Sequence, residues 1–139
     1  MITIVRTALE NYNALSASVA FEGKYLSGAL ATKANPNLEL QEQRLTIIQC
    51  WLRLLNADER FVIQKHLIEG LDWARVHYAF NEYWGGDFIR SERALAYYQA
   101  SALKKICEFC EKYADTIFRL FGEHDTTAGN DKAPAKGGE

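Results

Sequence analysis

The stretch Ile89-Arg-Ser-Glu-Arg-Ala-Leu-Ala-Tyr-Tyr-Gln-Ala-Ser-Ala-Leu-Lys-Lys-Ile106 decides the fold, as the first half of a helical pattern that runs from Asp87 to Phe121. Leu95, Tyr98, Ala102, Ile106, Phe109, Tyr113, Ile117 and Leu120 recur at alternating steps of three and four, which is one face of an α-helix. A buried stripe is expected there. Arg90, Arg93, Tyr97, Ser101 and Lys104 fall roughly half a turn away, so the same helix offers solvent two arginines, a lysine, a hydroxyl and an aromatic ring. Such a face suits a nucleic acid. At about 1.5 Å per residue the helix spans on the order of 50 Å. Its distal half is apolar on more than one side, with Leu103, Cys110, Ala114 and Phe118 forming a second line. The N-terminal helix is expected to cover one line and a second subunit the other, in a homodimer.

A chain of 139 residues with 48% hydrophobic and 24% charged side chains suits one globular domain that needs no disulfide or metal to hold its core. The net charge of −2 weighs against strong, indiscriminate nucleic-acid binding. Residues 87–112 carry five basic and four acidic side chains. Any affinity for DNA must therefore come from arrangement, and it should be weak and salt-sensitive. Arg6 and Glu10 interrupt what would have to be a signal peptide, and no window reaches the roughly 18 apolar residues of a membrane span. A cytoplasmic protein with no membrane contact is expected. Three cysteines suit a reducing compartment. Cys107 and Cys110 make a C-x-x-C, but they sit on a helix without a second ligand pair at zinc-like spacing, so they are expected to pack as small hydrophobes.

Upstream, residues 2–33 read as one helix through Val5, Leu9, Tyr12, Leu15 and Val19, weakened at Gly23 and Gly28. Asn35-Pro36-Asn37 stops it, with Asn37 as the cap of a second helix from Leu38 to Leu55. Asn56-Ala-Asp-Glu59 has the form of a capping box and opens a third helix that Gly70 ends. Asp72 caps a fourth helix through Trp73, Val76, Phe80, Tyr83 and Trp84, and Asp87 or Ser91 caps the long fifth. The expected fold is all-α, a bundle of about five helices. Its parts are an N-terminal helical extension (1–34), a helix-turn-helix module with a long last helix (35–121) and a disordered tail (122–139).

The segment Leu55 to Ile106 resembles region 4 of bacterial sigma factors. The resemblance rests on Leu55-x-x-x-Glu59-Arg60-x-Val62-Ile63, on Gly70 followed by Trp73 and Val76, and on Ser91-Glu-Arg-Ala-Leu95 leading to Ala102-Leu-Lys-Lys-Ile106. The stretch from Asn81 to Arg90 is longer than the usual turn, and with the helical N-terminus it is more similar to the ArpU/RinA group of phage late transcriptional regulators. That resemblance implies a sequence-specific DNA-binding activator of late genes, with promoter DNA as partner and host RNA polymerase as a further one. It places the first turns of the last helix in the major groove, so Glu92, Arg93, Ala96 and Tyr97 match base-reading positions. Arg93 is the strongest of these, since arginine can give guanine two parallel hydrogen bonds. Arg90, Ser91, Lys104 and Lys105 match phosphate contacts. The bland alternative for Arg93 is a surface pair with Glu92 or Asp87.

His66 and His77 have no matching carboxylate spacing, and no nucleophile triad or phosphate-binding loop stands out; an enzyme, a cofactor or a metal is not expected. The cluster Trp73, Tyr78, Phe80, Tyr83 and Trp84 is expected to be core, with a partner contact as its functional alternative. The rival class is a helical interaction protein that binds polymerase or another regulator without touching DNA.

Overall fold

The computed structural model describes residues 1–26, 36–85 and 89–122. It is all-α, with seven α-helices and no strand among the described residues: α1 Ile2–Glu10, α2 Tyr12–Phe21, α3 Pro36–Arg53, α4 Ala57–Val62, α5 Trp73–Trp84, α6 Glu92–Lys112 and α7 Ala114–Ile117. Wider π turns follow α2 (Glu22–Leu26), α4 (Ile63–Ile68) and α7 (Phe118–Gly122). None of these helices is long and apolar enough to cross a membrane.

The helix count exceeds the expected five because two of the expected rods are broken. The first breaks at Asn11 (φ −99°, ψ 7°), well before Gly23, which lies in the π turn after α2. Gly28 lies outside the described residues. The long C-terminal rod breaks at Tyr113 (φ −124°, ψ 36°), so α6 and α7 are separate segments. Pro36 is the first residue of α3, a position where its missing N–H costs nothing, and Asn37 is inside the helix and not its cap.

Apart from Asn37, the caps of the described helices expected from the sequence are present. Asn56 Oδ1 accepts from the Glu59 N–H at 2.8 Å and Glu59 Oε1 accepts from the Asn56 N–H at 3.0 Å, a reciprocal pair that starts α4. Arg60 turns back and donates to the carbonyls of Leu52 and Leu55, satisfying the orphan acceptors that end α3. Gly70 stops the following turn at φ +76°, and Asp72 Oδ1 caps α5 through the Arg75 N–H. Ser91 caps α6 through the Ala94 N–H at 3.1 Å, so α6 starts at Glu92; Asp87 lies outside the described residues.

The larger core joins Val5 and Leu9 of α1, Ile48 and Trp51 of α3, Ile63 and Leu67 after α4, Ala102, Ile106 and Cys110 of α6, and Ile117 of α7. The N-terminal helix is thus a wall of the main core, not an appendage. A smaller core of Val62, Val76, Phe80 and Leu95 holds α4, α5 and α6 together. On α6 the buried line is Leu95, Gln99, Ala102, Leu103, Ile106 and Cys110, a rotation from the expected stripe. Tyr98 and Phe109 are half-buried and Tyr113 is exposed. In the distal segment Ile117 and Leu120 are buried within the single chain, and Phe121 packs on Trp51 at 5.4 Å between ring centroids. Tyr113 and Phe118 remain as its exposed aromatics.

Candidate nucleic-acid interface

The buried line of α6 fixes what its other side can present. Arg93, Tyr97, Ala100 and Lys104 follow at steps of four, three and four, each roughly 200° around the helix from a buried neighbour. All of them are exposed, as are Ser91, Glu92 and Ala96. Tyr97 is 69% exposed and meets the half-buried Tyr98 edge to face. Ala96 and Ala100 keep this face low, so another backbone or a groove wall can approach it closely. Among the described residues Arg93 and Lys104 form no ion pair, and the pairing of Arg93 with Glu92 does not occur. From Ile89 to Lys105 the chain carries Arg90, Arg93, Lys104 and Lys105 against Glu92 alone, whereas Glu108 and Glu111 fall in the distal half. The positive side chains stand in two groups, Arg90 and Arg93 at the start of the helix and Lys104 and Lys105 past its middle.

Three of the residues expected on this face have internal partners. Ser101 is half-buried on the flank toward α4 and donates to Glu59 Oε2 at 2.7 Å. Lys105 donates to Glu59 Oε1 at 2.8 Å, in an ion pair whose carboxylate is only 2% exposed. Burial pushes the Glu59 carboxyl up, but the Lys105 ammonium, the Asn56 N–H and the Ser101 hydroxyl outweigh it and hold the pKa below its ordinary 4.5. Glu59 therefore does two jobs, capping α4 and locking α6 against it. Arg90 is the third. Asn81 clamps its backbone with bonds of 2.9 and 3.3 Å, His77 Nε2 donates to its carbonyl at 2.8 Å, and its own Nε donates to the Tyr98 hydroxyl at 3.0 Å. These bonds latch the start of α6 onto α5. Arg90 and Lys105 hold the face in place more than they offer themselves on it.

α5 carries the aromatic cluster that the sequence offered as core or as a partner contact. The segment Glu69–Asp72, with Gly70 at positive φ, joins it to the π turn after α4. Outward from α5 stand Arg75, Tyr78, Glu82 and Tyr83, all exposed. The aromatic cluster of this region is divided accordingly: Phe80 is buried, Trp73 and Trp84 are half-buried, and Tyr78 and Tyr83 are each 69% exposed. Helical spacing carried the signal, since Tyr78 lies between Val76 and Phe80, which both point inward.

His66 and His77, the histidines among the described residues, both have internal partners. His66 stacks on Trp73 at 3.9 Å between centroids and hydrogen-bonds the buried Gln99. The cysteines are free thiols, and among the described residues no three His, Cys, Asp or Glu side chains gather as a metal site would need. Burial, with the neighbouring Cys107, pushes the Cys110 thiol up to about 12. Comparison with family models, with curated proteins and with solved structures finds no match to this chain.

Proposed function

We propose that the chain is a sequence-specific DNA-binding regulator of transcription, a phage or prophage late-gene activator that reads promoter DNA with the first turns of α6. The observation that carries this reading is the line Arg93, Tyr97, Ala100 and Lys104, exposed, and without an ion pair among the described residues, on a helix whose opposite side is buried. A low, positively charged helix face anchored from behind is what the major groove admits. Arg93 serves as the base reader beside Glu92, Ala96 and Tyr97, and Ser91 and Lys104 touch phosphate. The acidic balance of the whole chain keeps affinity for random DNA low.

Fluorescence anisotropy of the full chain on duplex DNA, repeated from about 50 to 200 mM salt, tests the reading. Binding that weakens with salt is expected, with the slope reduced by about one in Lys104→Ala. No binding at tens of micromolar protein in low salt contradicts it.

The exposed Tyr78 and Tyr83 favour a second reading, in which α5 contacts RNA polymerase or another regulator. Under it, Tyr78→Ala with Tyr83→Ala removes activation in a transcription assay while leaving DNA binding intact. A homodimer through Tyr113 and Phe118 would join two reading faces, and sedimentation of the wild type and of Phe118→Asp decides that point.

A further inference from the structure

Arg44 of α3 is half-buried and among the described residues has no carboxylate partner. A charged side chain taken partly out of water is ordinarily paired. Its Nε donates to the Leu120 carbonyl, and among the described residues its two terminal nitrogens make no hydrogen bond. Arg44 is one of the residues that line a cavity of about 210 Å³ between α1, α2, α3 and the C-terminal turn. Ile4, Ala8, Leu15, Ile48 and Phe121 make its apolar walls, and Thr7 and Asn11 stand with Arg44 as its polar members. The cavity lies beside the break at Asn11, where α2, which contacts α3, buries none of its residues. Phe121 leans on Trp51 and lines the cavity without filling it.

We propose that this cavity binds a small carboxylate with an apolar body, its anionic end on the Arg44 guanidinium and its body between Ala8, Leu15 and Ile48. An apolar cavity of about 150 Å³ already holds benzene, so this one takes an aromatic ring and a short chain, about eleven non-hydrogen atoms with the carboxylate at the mouth. Arginine is the side chain suited to that end, because its planar fork of donors matches a carboxylate and stays charged at any physiological pH. No wall of the cavity belongs to α5 or α6, so the site is independent of the DNA-binding reading.

The probe is 3-phenylpropanoate, with neutral 3-phenylpropanamide as its control, titrated into the ¹⁵N-labelled full chain by NMR. The acid should shift the Thr7, Asn11 and Ala8 amides with a dissociation constant of about 0.1–10 mM and bind about tenfold tighter than the amide. In Arg44→Gln the advantage of the acid should vanish while the amide binds as before. Ala8→Phe should abolish both by filling the cavity, and Leu15→Trp at the half-buried rim repeats that test if Ala8→Phe does not fold. Absence of shifts at about 20 mM probe, shifts confined to other residues, an acid preference that survives Arg44→Gln, or binding that survives the filled cavity would each overturn the proposal.

Discussion

Replacing Glu59 by alanine should cost about 3 kcal/mol of folding stability. The carboxylate accepts hydrogen bonds from the Asn56 N–H, the Ser101 hydroxyl and the Lys105 ammonium at 2.7 to 3.0 Å. Hydrogen bonds to a charged group contribute roughly 1.5–3 kcal/mol each. Against that gross gain stands the cost of burying the carboxylate, several kcal/mol, which the alanine variant no longer bears. The Lys105 side chain is 43% exposed, so its freed ammonium rehydrates, and its share must be discounted. What remains is the loss of the return bond from the Asn56 N–H, about 1 kcal/mol, plus the two bonds that tie α4 to α6. Urea denaturation is the assay: at a slope of about 1.5 kcal/mol per molar, the midpoint falls by about 2 M with the slope unchanged. Glu59→Gln should cost less, since the amide oxygen still accepts one bond. A loss below about 1 kcal/mol for Glu59→Ala would refute the assignment of Glu59 as the lock between α4 and α6. The pH dependence has a fixed sign. Because the folded pKa is lowered, the contribution is complete above the ordinary value of 4.5 and is lost as pH falls through the lowered folded value. Glu59→Ala should therefore flatten the acid limb of the stability profile.

Gly70→Ala should destabilise by about 1–2 kcal/mol from backbone strain alone, because φ is +76° and an added Cβ meets nothing within 4 Å; Gly70→Asn should cost less, and equal costs would contradict the conformational origin. Cys110 is fully buried and its thiol stays protonated to about pH 12, so native protein should alkylate at Cys50 and Cys107 long before Cys110; peptide mapping after brief iodoacetamide treatment checks the order. Elemental analysis after purification without chelator should find no zinc at the Cys107 and Cys110 pair, and one equivalent per chain would overturn their assignment as packing residues.

The caps were legible in the sequence because capping is local chemistry. Asn56 with Glu59, Gly70, Asp72 and Ser91 act within three residues of themselves, and each stands where its pattern placed it. Periodicity gave the helical class and the outward positions of Arg93 and Tyr97, but it did not fix the rotation of α6. Tyr98, Phe109 and Tyr113 are apolar enough to draw the stripe toward themselves, whereas the buried line runs through Gln99, a polar side chain held by His66. The breaks at Asn11 and Tyr113 have no Pro or Gly at the position itself to announce them, and residues of α1, α6 and α7 share one core with Trp51 and Ile106. The partners of Ser101 and Lys105 were beyond reach for a similar reason: Glu59 lies 42 and 46 residues away along the chain, and no local pattern announces a contact at that distance. Arg44 likewise showed nothing in the sequence, since its want of a counter-charge is a property of the folded neighbourhood.

We propose that α6 reads DNA sequence through Arg93, and selection of bound duplexes from a random-sequence library by the full chain, in parallel with Arg93→Ala and Lys104→Ala, puts this to the test. The wild type should enrich a defined motif containing a guanine that Arg93→Ala no longer selects, at a cost of about 1–3 kcal/mol in discrimination, while Lys104→Ala enriches the same motif more weakly. Enrichment of no motif by the wild type, or of an unchanged motif by Arg93→Ala, would contradict it.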